Sequence, residues 1–383
     1  MDDKKTVMHV TGTMNFGGAE VLMMNIVRKL HHQFNFIFLV NESKGKRVKG
    51  DFDDEIISLG AKIIYCDSMR AVGIRNYQKQ LVALLKEWKP DVVHCHLNSK
   101  CGIVSKCAHK AGIRKIISHS HAALKFRGNL IKSAMLYAEL YWQRRMINKY
   151  STDFWGCSQE ALSSLFYKRN RNGGRCKVVN NLIEAKRFIY PNDVTVGKYK
   201  EEYNPNHKFA IGVIGRIAPV KNYLFALEIA RELKKIEQNF VLFIVGLKQD
   251  LEYVERLFEK MNEWELTEYV VYVEPKKDVE NCYAMMDVVL GTSLREGFSL
   301  TAVEAQLSGA YTLLSNGYPK GVNLEAGNCE CLDNFDAKVW AQKVYSIMTA
   351  SVQVSKEARK AALEKRGFDL DAEIYKIAEE YEK

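Results

Sequence analysis

Asp287-Val288-Val289-Leu290-Gly291-Thr292-Ser293 runs directly into Leu294-Arg295-Glu296-Gly297-Phe298-Ser299-Leu300-Thr301-Ala302-Val303-Glu304-Ala305. The first part is a short β-branched run that ends in small residues. The second returns to apolar spacing of helical period, with Ser299 as an N-cap type. A buried strand feeding a helix through a glycine-bearing loop is the repeating unit of a parallel sheet covered on both faces. Outward from this stretch the same unit recurs. Phe209–Ile214, Phe240–Val245, Val270–Val273 and Thr312–Leu314 read as strands, and Leu224–Lys235, Leu251–Asn262 and Leu300–Leu307 as helices. The first half repeats the scheme, with strands at Thr6–Val10, Phe34–Val40, Lys62–Tyr65, Asp91–His94 and Lys115–Ser118 and helices at Ala19–His31 and Tyr77–Trp88. Two such series predict an α/β protein of two doubly wound, Rossmann-like domains. The turn-rich segment 189–207 is the expected boundary. It leaves an N-terminal domain over 1–190, a C-terminal domain over 207–365, and a final amphipathic helix within 366–383.

The bulk properties narrow the class. A chain of 383 residues with 47% hydrophobic and 27% charged residues has material for two cores. Its nine cysteines are irregularly spaced and form no Cys-x-x-Cys pair, which speaks against a disulfide framework or a zinc knuckle and for a reducing, cytoplasmic setting. No stretch has the roughly 18 consecutive apolar residues of a membrane span. The net charge of +10 suits a phosphorylated substrate, a polyanion or an anionic membrane. The basic residues form no tail, so no nucleic-acid partner is expected.

Four groups of residues offer chemistry. At the carboxyl end of a parallel strand, the helix opening near Ser299 presents free N–H groups and a positive dipole end to an anion. Glu296 and Glu304 bracket that position, where carboxylates would accept hydrogen bonds from sugar hydroxyls. Gly212-Val213-Ile214-Gly215-Arg216-Ile217-Ala218-Pro219-Val220-Lys221-Asn222 delivers Arg216 and Lys221 after another strand, a fork and a point charge suited to a diphosphate. Gly17-Gly18 makes a tight turn between the first strand and helix. The spacing is not Gly-x-Gly-x-x-Gly, and Glu42 does not rescue it, so a nicotinamide-dependent oxidoreductase is disfavoured. His94, His96, His119 and His121 follow two strands as His-x-His pairs. No acidic partner accompanies them, and they read as polar lining for a sugar rather than as metal ligands. Asp51-Phe52-Asp53 has the form of a metal-binding Asp-x-Asp but opens an expected helix and reads as capping. Lys125–Lys149 is basic and aromatic, suited either to an anionic membrane surface or to a core helix with a solvated face.

In the order of these motifs the chain resembles glycosyltransferase family 4 of the GT-B fold, in which two Rossmann-like domains face a central cleft. The resemblance rests on Gly17-Gly18-Ala19-Glu20 after the first strand, the Gly-Arg-x-x-Pro-x-Lys-Asn turn at Gly215–Asn222, and the Glu-x7-Glu spacing of Glu296 and Glu304. The run Leu314–Lys320 is similar to members that build capsular polysaccharides or exopolysaccharides. The resemblance implies a retaining, metal-independent enzyme with no cofactor. It would move a sugar from a nucleoside-diphosphate donor, expected to be a UDP-sugar, to a saccharide or lipid-linked acceptor, in the cytoplasm or at the inner face of the plasma membrane. The N-terminal domain would bind the acceptor and the C-terminal domain the donor. Arg216 and Lys221 would hold the diphosphate and Glu304 the ribose hydroxyls. Glu296 would contact the donor sugar, with Gly297, Phe298, Ser299 and Leu300 beside it. Gly17 and Gly18 would close over the phosphates, and His119 or His121 would line the reaction centre. The other reading is a nucleotide-sugar-binding protein without catalysis.

Overall fold

The computed structural model describes residues 4–42, 47–122, 124, 130–350 and 352–383, with the side chains of 130–132 outside the description. The chain divides into two compact units, one of Met1–Leu182 with Leu370–Lys383 and one of Ile183–Asp369.

The first unit is built on β1 (Thr6–Thr11), β2 (Asn35–Glu42), β3 (Lys62–Asp67), β4 (Val92–Cys95), β5 (Lys115–Ser120), β6 (Asp153–Gly156) and β7 (Cys176–Val178). They form one sheet in the order β3-β2-β1-β4-β5-β6-β7, with parallel pairing throughout. The second unit uses β8 (Phe209–Ile214), β9 (Phe240–Val245), β10 (Val270–Val273), β11 (Val288–Gly291), β12 (Tyr311–Ser315) and β13 (Cys329–Leu332). Their order is β10-β9-β8-β11-β12-β13, again parallel. In both sheets the order reverses beside the first strand, between β1 and β4 and between β8 and β11. Ligands of open parallel sheets bind in the crevice at that reversal.

Each sheet buries two opposed faces, because side chains alternate along a strand. In the first unit Met8, Val10, Ile37, Leu39, Val93 and Ile116 pack on one face. Val7, Phe36, Phe38, Val92, Ile117 and Trp155 pack on the other, against Leu22, Ile26, Ile377 and Tyr381. The last helix, Leu370–Glu382, therefore completes the first unit although it follows the second in sequence.

The boundary differs from the expected one. Helices Ala185–Ile189 and Asp193–Tyr203 occupy most of the segment read as linker. Phe188, Ile189 and Val196 from them enter the core of the second unit, so the division falls at Leu182 and not within 189–207. Helix Met69–Trp88 begins earlier than expected but is broken at Gly73, whose φ of 76° is non-helical. Strands β6, β7 and β13, of three or four residues each, were not expected.

Candidate active site

Strand β8 ends in the crevice of the second unit. Gly215 has φ 144° and Gly246, after β9, φ 154°. A Cβ on Gly246 would fall on the Gly215 carbonyl oxygen, so glycine is required there to let the two strand ends approach. The turn that follows is clamped from three sides. The buried Tyr223 hydroxyl donates to the Gly215 carbonyl at 2.6 Å. Thr292 Oγ1 donates to the Lys221 carbonyl at 2.8 Å, and the Leu294 N–H to the Val220 carbonyl at 2.8 Å.

This turn places Lys221 against the loop after β11. Its Nζ lies 2.6 Å from Glu296 Oε1, with only 17% and 13% of the two side chains exposed. Ser293 Oγ donates to the same carboxylate oxygen at 2.6 Å and lies 3.2 Å from the Tyr318 hydroxyl. The Glu296 N–H donates to the Gly317 carbonyl at 2.9 Å. The loop Leu314–Lys320, singled out in the sequence, thus supports Glu296. Lys221 and Glu296, far apart in the chain, share one polar cluster with Ser293 and Tyr318, neither of which sequence reading identified. Their types are common and their juxtaposition arises only from the sheet order.

The helix Leu300–Ser308 opens beside this cluster. Ser299 occupies its N-cap position with φ 78° and ψ 89°, and no described side chain caps the first turn. The expectation that Ser299 caps the helix is corrected: its Oγ pairs with Thr301 Oγ1 at 2.9 Å, because the left-handed backbone turns the side chain away from the first-turn N–H groups. A non-glycine residue at such φ costs of order 1 kcal/mol. The result is an uncapped helix start, the positive end of the helix dipole. A Cβ on Gly297 would meet only open space.

Glu304 lies one turn into this helix. The Tyr283 hydroxyl donates to its Oε2 at 3.0 Å. Burial pushes the carboxyl up to about 7, against the opposing effects of Tyr283 and Arg187. The Tyr283 contact was also missed, since it lies in an apolar stretch that reads as core. Arg216 stands apart from Lys221 and Glu296: it is exposed and donates to Gln249 Oε1 at 3.0 Å.

In the first unit, Gly17 precedes the helix Gly18–Leu30 as an extended N-cap without side-chain capping among the described residues, and a Cβ on it would strike the Glu20 carboxylate. Asp51 accepts from the Phe16 N–H at 3.1 Å and Asp53 from the Gly50 N–H at 2.9 Å, so the Asp-x-Asp carboxylates serve the backbone. Glu42 likewise ties Thr13 Oγ1 and the Val48 N–H. His94, His96 and His119 are buried, and His121 is half-buried at the end of β5. A fifth histidine, His9 on β1, joins them with its Nδ1 2.9 Å from His96 Nε2. It reads in the sequence as a strand interior, which hid it. The helix Leu130–Tyr150 exposes Met135, Tyr137, Tyr141 and Trp142. Of the basic residues noted in this region, Lys125, Phe126 and Arg127 lie outside the described residues, as does the Lys132 side chain. Among the described residues no helix is long and apolar enough to cross a membrane.

Two Rossmann-like units, the second carrying an uncapped helix start beside a Lys–Glu pair, are the parts from which a GT-B glycosyltransferase is built. The comparisons agree. Residues 16–187 match the model of Glycosyltransferase Family 4, and residues 197–365 that of Glycosyl transferases group 1. The chain is 27% identical over 377 residues to EpsF of Bacillus subtilis (strain 168), a glycosyltransferase by name, covering 97% of this chain and 94% of that one. It is 25% identical over 311 residues to the capsular polysaccharide biosynthesis glycosyltransferase CapH of Staphylococcus aureus, covering 81% of each. Among solved structures, Anabaena HepE in complex with UDP superposes with a TM-score of 0.79 at 15% identity, over 98% of both chains. The first half of the chain thus matches Family 4 and the second half group 1, both glycosyltransferase models, and the protein is a transferase enzyme.

Proposed function

We propose that this enzyme transfers a sugar from a UDP-sugar to a saccharide or lipid-linked acceptor in polysaccharide biosynthesis, with retention of configuration and without a metal ion. The observation that carries the reading is the uncapped start of helix Leu300–Ser308 beside the Lys221–Glu296 pair. A diphosphate placed there meets the helix dipole and competes with Glu296 for the Lys221 ammonium. The exchange frees Glu296 to accept hydrogen bonds from the donor sugar. Glu304, held by Tyr283, takes the ribose hydroxyls. As the glycosidic bond loosens, Lys221, the helix N–H groups and Arg216, swung from Gln249, stabilise the departing charge, the work a divalent ion would otherwise do. Gly17 and Gly18 offer backbone N–H groups from the first unit. Of the two candidate histidines, His121 is the less enclosed, half-buried where His119 is fully buried, and we assign the reaction centre to it.

The names of relatives support the polysaccharide assignment. CapH is named for capsular polysaccharide biosynthesis, and an Escherichia coli relative, 25% identical over 299 residues, is named as a galactosyltransferase acting from UDP-Gal on a GlcNAc-diphosphoundecaprenol. Tyr137, Tyr141 and Trp142 stand exposed on a helix that also carries Arg145 and Lys149. This face suits the interface of an anionic bilayer, where a lipid-linked acceptor resides, and supports action at the inner face of the plasma membrane.

The test is thermal protection by a panel of nucleotide sugars in the presence of EDTA, with Lys221→Ala and Glu304→Ala alongside. Stabilisation by one UDP-sugar, weakened by both substitutions and followed by transfer to a lipid-linked acceptor, supports the reading. Binding without transfer to any acceptor would favour a nucleotide-sugar-binding protein, and a requirement for a divalent ion would overturn the metal-free chemistry.

A further inference from the structure

Five histidines of the first unit, on or just after β1, β4 and β5, form two connected chains. They continue an otherwise apolar face: His9 follows Val7, His94 and His96 follow Val92, and His119 and His121 follow Ile117, each at strand spacing. In one chain His9 Nδ1 lies 2.9 Å from His96 Nε2, and His96 Nδ1 lies 2.9 Å from His121 Nε2. In the other the Tyr381 hydroxyl lies 2.8 Å from His94 Nδ1, and His94 Nε2 lies 3.1 Å from His119 Nδ1. His119 Nε2 and His121 Nδ1 are buried atoms without a hydrogen-bond partner among the described residues, as is His9 Nε2. An unsatisfied buried ring nitrogen costs on the order of 1–3 kcal/mol, and this cluster holds several. Burial and mutual repulsion hold His94, His96 and His119 well below the usual imidazole range, and burial holds His121 at about 4.

One nitrogen from each of His96, His119 and His121 lies within 4.8 Å of the others. We propose that these three histidines form a binding site for a transition-metal ion of the Zn2+ class, separate from the residues that handle the donor diphosphate; a bound ion takes His121 from the reaction centre and so blocks transfer rather than supplying its chemistry. Imidazole-only ligation selects Zn2+ and its neighbours over Mg2+ or Ca2+, which require oxygen ligands. The tautomers are consistent with it. Ligation through His119 Nε2 leaves its Nδ1–H to donate to His94 Nε2, and His94 Nδ1–H then donates to the Tyr381 oxygen. Ligation through His96 Nδ1 leaves its Nε2–H to donate to His9 Nδ1. His94, Tyr381 and His9 are thus the outer partners that fix ring orientation in metal sites. The half-buried His121 provides the access path and leaves a fourth position for water.

The experiment uses the full chain, without a histidine tag, stripped with a chelator and titrated with Zn2+ and with Co2+ in the absence of nucleotide. One ion per chain is expected, with intense visible Co2+ bands of a four-coordinate nitrogen site. His121→Ala and His119→Gln should each weaken Zn2+ binding at least about tenfold, and Tyr381→Phe up to about tenfold. The exposed His32→Ala should leave it unchanged. His121→Ala, at a strand end, is checked for an unchanged circular dichroism spectrum and decides the matter if His119→Gln does not fold. Zn2+ binding that survives His121→Ala, weak octahedral Co2+ absorption, or no binding in the micromolar range would each overturn the site. The donor reading is tested in EDTA, so the two can fail independently.

Discussion

Replacing Glu304 by Gln should make the unliganded protein more stable and the nucleotide complex weaker. The carboxyl is pushed from its ordinary value of 4.5 to about 7, chiefly by burial. A native state that binds a proton more tightly than the unfolded chain loses stability as pH rises between those two values, and the loss is complete above the higher one. The displacement corresponds to about 3 kcal/mol in the ionised state. That figure is a ceiling, because Glu304 is half-buried, so a gain of about 1–3 kcal/mol is expected for Glu304→Gln near pH 8 and almost none near pH 4.5. The amide keeps an oxygen to accept from Tyr283, whose hydroxyl donates to Oε2 in the parent. Hydrogen exchange of the buried amides of β9 reports the opening of the second unit alone and avoids treating two units as one transition. The two proteins should diverge between about pH 4.5 and about pH 7 and run parallel above. UDP should bind the parent more tightly as pH rises through about 7, since ribose hydroxyls donate to the ionised form, and Glu304→Gln should lose both that dependence and at least about tenfold in affinity. Parallel stability curves for parent and variant across the whole range would refute the argument that burial at this position perturbs the carboxyl.

Other perturbations act on separate parts of the site. Lys221→Ala leaves the Glu296 carboxylate with Ser293 but no cation; steady-state kinetics should show transfer slowed at least about a hundredfold. Gly246→Ala sets a Cβ on the Gly215 carbonyl and should lower stability by about 2–4 kcal/mol while abolishing nucleotide-induced thermal protection. Replacing Tyr141 and Trp142 together by Ala should reduce co-sedimentation with anionic vesicles and leave UDP binding intact; equal binding by parent and variant would remove the membrane assignment.

The fold was legible because its signal is local and repeated. A parallel strand buried on both faces reads as a continuous apolar run, as Phe240–Val245 does, and the loop with Glu296 and the turn with Lys221 stand where such runs end. The missed strands are the outer ones. β7 has three residues, none of them fully buried, and β13 alternates Cys with Glu, so neither carries an apolar run. The supporting residues of the site were illegible for a different reason. Tyr283 and Tyr318 act on the site through hydroxyl contacts to residues 21 and 25 positions away in sequence, and only the strand order that sets β11 between β8 and β12 brings such groups together. Ser299 was misread because a serine before a helix predicts a cap only if its backbone is extended, and here φ is positive.

The two units carry the same sheet reversal with opposite chemistry, which bears on how one fold is used twice. At the reversal of the second unit the polar groups are charged and paired, Lys221 with Glu296 at 2.6 Å. An anionic ligand exchanges one partner for another there and need not create a charge in a dry site. At the reversal of the first unit the polar groups are neutral imidazoles on an apolar face, linked to one another at 2.9–3.1 Å. Such a site cannot hold a diphosphate, since it offers no net positive charge unless a proton or a cation enters. It can accept hydrogen bonds from hydroxyls, relay a proton or ligate a metal. The sequence already separates these roles, because every histidine of the cluster precedes Leu182 and every member of the Lys–Glu pair follows Ile183. A variant that moves a charge into the first cluster, such as His96→Lys, should therefore unfold the first unit before it creates any affinity for UDP. Hydrogen exchange resolved by unit would show this as lost protection in β1, β4 and β5 with β8, β9 and β11 unchanged. Equal loss in both sheets would mean that the units fold as one and that the division of chemistry has no energetic counterpart.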